Sequence, residues 1–313
     1  MSGSRQGAGP DTLARVDAYD GASVAQARSR LRLALERAGC VEPAEDARRL
    51  VAHALRIAPS RLGVEAERMM TGEEAKRLRR YEADRLAGRT VGRIVGTRAF
   101  HDIALAVSDD LLEPRDDTAA VVELALPKLR SLCDERSTAT VWDVGTGVGT
   151  IVMALLAAEP RATGLATDVS DRMGAWHRNA ERLGLGPERL RFARADVLEG
   201  MDRGRFDLIV SNPPYIPTGE TAALIAGGLT DPALALDGGA DGLRFYRRFA
   251  ETLGSRLNAG GWLVVEIGAG QGADLRALFT RHGWRERGAM TDLGGHERAL
   301  AFAPGTDGAR GGG

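Results

Sequence analysis

The 313-residue chain is 43% apolar and 27% charged, an ordinary globular composition with room for one large domain and a smaller one. A formal net charge of −1 gives no global attraction to polyanions, which disfavours a dedicated nucleic-acid-binding chain. The two cysteines stand far apart and no apolar run approaches the ~20 residues of a membrane span, which sets aside disulfide frameworks and membrane proteins and makes the cytoplasm the expected compartment.

Residues 1–20 are polar and glycine-rich, lack the apolar core of a signal peptide, and read as a disordered tail. Residues 21–90 follow a helical period. Val24, Leu31, Leu35 and Ala38 recur at helical spacing, as do Ala47, Leu50, Val51, Ala54 and Leu55. Thr71 with Glu74 has the form of a capping box, opening a helix through Ala75, Leu78 and Tyr81. Residues 91–115 are expected to form a linker with a β-hairpin, and residues 116–304 a second domain. In it VWDVG (141–145), TGLATD (163–168), RFARAD (191–196), FDLIVSN (206–212) and GWLVVEIG (261–268) read as strands. Helical stretches at 149–158, 171–184, 241–257 and 271–282 alternate with them. Alternation predicts an α/β fold: a Rossmann-like parallel sheet with helices on both faces, preceded by a small α-helical domain. Residues 305–313 read as a second disordered tail. Trp142 and Trp176 are expected in or near the core, and the five histidines are scattered without metal spacing, so no metal site is expected.

In such sheets ligands bind at the carboxyl ends of the strands. Asp143-Val-Gly145-Thr-Gly147-Val-Gly149 follows the first strand and opens a helix, and its glycines let the backbone come close to a ligand. Asp168 ends the next strand, about 20 residues past the last glycine, where a carboxylate accepts from ribose hydroxyls. Asp196 ends the third strand and suits the adenine end. Each acid has a plainer reading as a turn or helix cap. The loop lacks the spacing of a pyrophosphate site, and Asp143 would repel phosphate but attract a cationic amino acid. These features favour S-adenosylmethionine, with S-adenosylhomocysteine as product, over a dinucleotide. The candidate cofactor residues are Asp143, Gly145, Thr146, Gly147, Gly149, Asp168, Val169, Asp196, Val197 and Asn212.

Asn212-Pro213-Pro214-Tyr215 follows an apolar strand. Two prolines remove two donors and leave carbonyls free to accept. The Asn212 amide adds an acceptor oxygen and Tyr215 a flat face for a planar group. The set suits an NH₂ on an sp² carbon, held so that its third direction faces a methyl group. A rigid post-strand turn with no chemistry is the plain alternative. The candidate acceptor-binding residues are Asn212, Pro213, Pro214 and Tyr215, with Glu113 and Asp116; of these Asn212, Pro213, Tyr215 and Glu113 are the catalytic candidates.

On these motifs the chain resembles the HemK/PrmC-type protein-glutamine N5-methyltransferases, which modify the glutamine of the Gly-Gly-Gln motif in peptide-chain release factors. The resemblance spans roughly residues 25–303 and includes ATDVS (166–170), SNPPYIP (211–217) and DPALALDGGADGLRFYR (231–247). It implies that Asp143, Gly145, Gly147, Asp168, Asp196 and Asn212 contact S-adenosylmethionine. It also implies that Asn212, Pro213 and Tyr215 hold the acceptor amide, and that the helical domain recognises a release factor. A monomer or weak dimer is expected.

The chain departs from the family where substrate would lie. The family's I/V-P-R-P-E-T-E becomes Glu113-Pro114-Arg115-Asp116-Asp117-Thr118-Ala119, and an acidic, bulky stretch becomes Ala226-Gly227-Gly228-Leu229-Thr230-Asp231-Pro232. If Glu113 and Asp116 face the acceptor they favour a guanidinium, which pairs with carboxylates through parallel hydrogen bonds. The alternative acceptor is then L-arginine or another small amino-acid-like molecule, with Glu113 as the base. Solvated acids on a surface loop are the plain reading, and Arg115 can anchor that loop through a carboxylate. Adenine-N6 methylation shares the Asn-Pro-Pro-Tyr logic but is disfavoured by the charge balance. A non-catalytic cofactor binder is disfavoured by the intact motif.

Overall fold

The computed structural model describes residues 19–197, 204–292 and 294–305, so the sequence-predicted tails lie almost wholly outside the described residues. Tyr19, Asp20 and Gly305 are described, and of these Tyr19 is 1% exposed and packs in the hydrophobic core of the helical unit, where a large aromatic side chain gains by burial. The chain forms two compact units, one ending at Val95 and one beginning at Gly96.

The first unit contains α1 (Val24–Arg37), α2 (Pro43–Leu55), α3 (Gly72–Leu86) and the short α4 (Val91–Val95). Two capping boxes start its helices. Ser23 pairs reciprocally with Gln26, and Thr71 with Glu74, each satisfying backbone donors that a helix start leaves open. The apolar positions expected on α2 and α3 are all buried, whereas Ala38 is the exposed C-cap of α1. Arg85 of α3 holds Asp46 of α2 at 2.8 Å. Val91 joins this core, so the unit runs past the change of composition near residue 90.

The second unit opens with a hairpin, β1 (Thr97–Phe100) and β2 (Ile103–Ala106). Then follow α5 (Ala119–Arg136), β3 (Ala139–Val144), α6 (Thr150–Ala158), β4 (Ala162–Asp168), α7 (Gly174–Arg182), β5 (Leu190–Arg194) and β6 (Phe206–Ser211). The chain continues through α8 (Thr218–Ala226), α9 (Arg244–Thr252), β7 (Leu257–Glu266), α10 (Gly272–Arg281), β8 (Trp284–Thr291) and β9 (Glu297–Pro304). The seven-stranded sheet has the order β5-β4-β3-β6-β7-β9-β8. The five strands expected from sequence are parallel to one another, and β9, paired with β7, and β8 add an antiparallel edge.

Successive strand residues enter opposite cores. Leu208 and Val210 of β6 join one cluster with α5 and α6, while Ile209 between them joins the other with α9 and α10; Phe206 also joins the second, across the register shift that separates it from Leu208. Trp142 is fully buried and Trp176 nearly so. The strand order reverses between β3 and β6, which sets the ligand crevice outside their carboxyl ends. Register makes that crevice level: Val144 lies beside Thr167 on one side and Ser211 on the other, and Ser211 beside Val265. The residues that follow these, Gly145, Asp168, Asn212 and Glu266, therefore form one rim.

Candidate active site

A cavity of about 480 Å³ opens along this rim. Gly145 and Gly147 line it after β3, Asp168, Val169 and Ser170 after β4, Asp196 and Val197 after β5, and Asn212, Pro213 and Pro214 after β6. The sequence-predicted motifs thus converge although they come from four strands.

The glycine loop takes left-handed φ at Gly145, Gly147 and Gly149, +72°, +55° and +92°, a region that L side chains rarely adopt. Its amides are anchored: Gly145 N and Thr146 N both donate to Thr167 O at 2.9 Å, and Gly147 N donates to Asp168 Oδ2 at 2.9 Å. Ser170 N donates to Asp168 Oδ1, also at 2.9 Å. Each carboxylate oxygen has two acceptor positions, so Asp168 holds the loop and keeps capacity for a ligand.

Asp143 lies behind the loop, 1% exposed. Its Oδ2 accepts from the Thr146 hydroxyl at 2.8 Å and from Val152 N at 3.3 Å, while Oδ1 has no partner among the described residues. Burial pushes its carboxyl up to about 7, since a charge removed from water is costly. A cationic ligand in the cavity would relieve this cost. Thr146 turns inward to Asp143 and Gly149 starts α6; neither lines the cavity.

The far end was hidden from sequence. Arg244, Phe245, Arg248 and Phe249 line it, at the i, i+1, i+4, i+5 spacing of one face of α9, with Leu234 and Ala235 beside them. Arg248 donates to the Asp196 carboxylate and to the Asp196 carbonyl, both at 3.2 Å. The helical spacing of two arginines and two phenylalanines was the available signal.

At the near end, Asn212 Nδ2 donates to Thr118 Oγ1 at 3.2 Å, and among the described residues nothing donates to the Pro213 carbonyl. The Tyr215 ring does not line the cavity. It packs on the α9–α10 core, its hydroxyl donates to Glu266 Oε1 at 3.2 Å, and its carbonyl accepts from Gln271 Nε2 at 3.1 Å. A stacking role for Tyr215 is replaced by a bracing one, because its hydroxyl finds a buried acceptor there.

Glu113 and Asp116 do not line the cavity that Asn212 and Pro213 line. Glu113 is 1% exposed and paired with Arg98 at 3.4 Å, and the exposed Asp116 pairs with the same arginine at 3.0 Å. Asp116 lines a separate cavity with Phe100, His101 and Asp292. The base role for Glu113 and the arginine acceptor built on it are therefore set aside: an arginine of the chain itself already takes both carboxylates. Arg115 does anchor its loop, through Asp231.

Comparison with known proteins agrees with this geometry. Residues 26–96 match the PrmC N-terminal domain model and residues 123–236 the methyltransferase small domain model. The chain is 38% identical to the release factor glutamine methyltransferase of Agrobacterium fabrum over 91% of this chain and 98% of that one. It is 42% identical to that of Rhodospirillum rubrum over 85% and 80%. Among solved structures, the hMettl16 catalytic domain in complex with the MAT2A 3′UTR hairpin 1 aligns with a TM-score of 0.51 and 17% identity, over 65% of this chain and 76% of that one. That likeness speaks to the fold alone. With two relatives this similar over most of their length, the chain belongs to the family of release factor glutamine methyltransferases.

Proposed function

We propose that the protein transfers the methyl group of S-adenosylmethionine to the side-chain amide nitrogen of a glutamine in a peptide-chain release factor. The observation that carries this reading is that Asn212 and Pro213 line the same cavity as the glycine loop and Asp168. Cofactor site and amide acceptors thus share one space.

The residues fit the cofactor. The unpartnered Oδ1 of Asp143 suits the charge of the ammonium, Gly145 and Gly147 line the cavity, and Asp168 has acceptor capacity left for ribose hydroxyls. Asp196, Val197 and Phe245 suit the adenine end, with Val169 beside Asp168. When bound, S-adenosylmethionine supplies a methyl group already activated by its sulfonium. The chain supplies position. An amide nitrogen has its lone pair delocalised into the carbonyl and is a poor nucleophile. Asn212 Oδ1 and the Pro213 carbonyl each accept one of its N–H bonds, which holds the nitrogen with its third direction toward the methyl carbon; Pro214 keeps that carbonyl rigidly placed. Such placement contributes up to ~7–11 kcal/mol in favourable cases. The helical unit, which carries the PrmC N-terminal match, is assigned to recognising the acceptor protein, and a reaction on a translation factor belongs in the cytoplasm.

Intact-mass analysis tests this. With S-adenosylmethionine, release factor should gain a single methyl group located on glutamine, and Asn212→Ala should abolish the gain. Unmodified release factor with the wild-type chain would overturn the proposal.

A further inference from the structure

The net charge of −1 conceals an uneven division. The helical unit, residues 1–95, carries 18 arginines and lysines against 13 acids, so it is positive while the rest of the chain is negative. Several of those acids are already engaged. Arg48 holds Glu45 at 2.6 Å, Arg85 holds Asp46 at 2.8 Å, Arg68 holds Glu65 at 2.9 Å and Glu74 at 3.0 Å, and Arg89 holds Asp84 at 3.8 Å. Four of the arginines left over lie together.

They border the seam between α2 and α3. The two helices run antiparallel: Arg77 Nε donates to Ala54 O at 2.9 Å near one end, and Arg85 reaches Asp46 near the other. Between these contacts the His53 and Tyr81 rings meet, their centroids 5.2 Å apart. Along α2, Asp46, Arg49, His53 and Arg56 follow at the three- and four-residue steps of one helix face. On α3, Arg77 and Arg80 stand one turn apart, and the Arg80 guanidinium lies over the Tyr81 ring, 5.6 Å from its centroid. Arg56 and Arg80 are exposed, Arg49 and Arg77 half-buried.

None of the four has a carboxylate partner among the described residues. Glu45, one turn from Arg49, is taken by Arg48 through two hydrogen bonds. Arg77 uses one of its five donors on the Ala54 carbonyl and keeps the rest. Burial, then the charges of Arg77 and Arg56, hold the His53 imidazole below its ordinary range, the response of a group set beside unneutralised cations. Gathering four guanidinium groups costs the free protein through their mutual repulsion, and an anionic partner reverses that cost.

We infer that this seam, through Arg49, Arg56, Arg77 and Arg80, binds a carboxylate-rich surface segment of the acceptor protein; the inference rests on the function proposed above and gives recognition by the helical unit a chemistry. A guanidinium fork matches a carboxylate through two parallel hydrogen bonds. The row is short, with Arg49 and Arg56 ~10 Å apart along the helix, which suits a few acidic side chains. A nucleic acid fits it less well. Four cations are fewer than the about 6–10 phosphate contacts of a strongly salt-dependent nucleic-acid interface. Tyr81 is 6% exposed and lies against His53 and Arg80, so it offers no open face on which a base could stack.

The test uses the full-length protein and release factor. Arg56→Glu/Arg80→Glu reverses two exposed charges and leaves the Arg77 contact in place. Arg49→Gln/Arg80→Gln only neutralises, and guards against a reversal that fails to fold. Arg28→Glu/Arg37→Glu makes the same charge change at two exposed residues of α1. The reversal should raise the KM for release factor ~10-fold or more, the neutralised pair ~3-fold, and the α1 pair less than about twofold. The kcat and the KM for S-adenosylmethionine should stay within about twofold in all three. Raising salt from ~50 mM to ~0.5 M should raise the wild-type KM and narrow its gap to the reversed variant, because exposed charges are screened. An unchanged KM in both seam variants, or an equal loss in the α1 pair, would overturn the inference.

Binding of release factor measured by calorimetry, with S-adenosylhomocysteine present, separates docking from methyl transfer. Release factor that binds through the seam and is never methylated would remove the functional reading and leave the docking standing. Methylation at wild-type KM by the reversed variant would do the opposite. A labelled single-stranded RNA whose binding the reversal abolishes, with the KM for release factor unchanged, would overturn the inference in favour of nucleic acid.

Discussion

Gly238 packs so closely on Pro214 that a Cβ added to it would stand 2.8 Å from the Pro214 carbonyl oxygen and 2.8 Å from Tyr215 Cα. Both contacts are backbone, which cannot swing aside as a flexible side chain can. The segment is also tied by hydrogen bonds, Gly238 N to Ile216 O at 2.8 Å and Ile216 N to Leu236 O at 3.0 Å. Gly238 is therefore part of the mould that shapes the Asn-Pro-Pro-Tyr turn. Gly238→Ala should displace that turn, cost roughly 1–3 kcal/mol of stability, and lower kcat by ~10-fold or more. Unfolding curves and turnover measured on the same preparation check this; an alanine variant with normal turnover would show that the turn keeps its shape without the mould.

Much of this site was legible in sequence because its parts are punctuation. A glycine run after an apolar strand, acids at strand ends, and paired prolines all announce themselves without tertiary knowledge. What was hidden depends on partners. Helix α5 went unseen because Pro127 interrupts its pattern, and α8 because among its described positions only Thr221 is buried, which leaves no apolar stripe to count. Strand β8 carries Arg285, Glu286 and Arg287 on an edge, where charge guards against further pairing and hides the strand period. Glu113 was misjudged for a different reason: burial beside Arg98 is a fact of folding, and an acid in a loop shows nothing of it. Glu266 lay within a predicted strand, whose pattern shows nothing of its burial against the Tyr215 hydroxyl.

The carboxyl of Asp143 is pushed up to about 7 by burial, so the free protein carries a proton there at mildly acid pH. A cationic cofactor meeting the glycine loop favours the ionised form. Binding should therefore release close to one proton at about pH 6 and far less at about pH 8.5. Calorimetry in buffers of different ionisation enthalpy measures this directly, and Asp143→Asn should abolish the release. The same shift has a sign for stability. Because the native state holds the proton where the unfolded state has lost it, Asp143 makes the free protein less stable as pH rises from about 4 to about 7. Asp143→Asn should flatten that slope, and equal slopes in the two proteins would contradict the assignment.

Glu113→Gln separates structure from chemistry. Arg98 keeps Asp116 as a second partner at 3.0 Å, so the guanidinium is not left alone when the Glu113 charge is removed. The expected loss is about 1–3 kcal/mol of stability. Turnover per folded enzyme should stay within about twofold of wild type, with an unchanged pH profile. A changed pH profile in this variant would return Glu113 to the reaction, and kinetics across pH at a temperature well below the variant's melting point decides it.

Asp196 and Arg248 meet at the far end of the cavity, 3.2 Å apart, with half of the aspartate side chain and a third of the arginine exposed. An ion pair this open contributes at most about 1 kcal/mol directly, so its value lies in aiming Asp196. Arg248 grips both the carboxylate and the carbonyl of that residue, which sits beside Val197, a β-branched residue held at φ +56°. Asp196→Ala should weaken S-adenosylhomocysteine binding by ~10-fold or less, and Arg248→Ala by a smaller factor. The double variant should fall short of the sum of the two losses, with a coupling of about 0.5–1 kcal/mol. That coupling should shrink at ~1 M salt, where exposed charges no longer sense each other beyond a few ångströms. Titration calorimetry on the four proteins at low and high salt measures it; strict additivity at low salt would mean that Arg248 meets the adenine independently of Asp196.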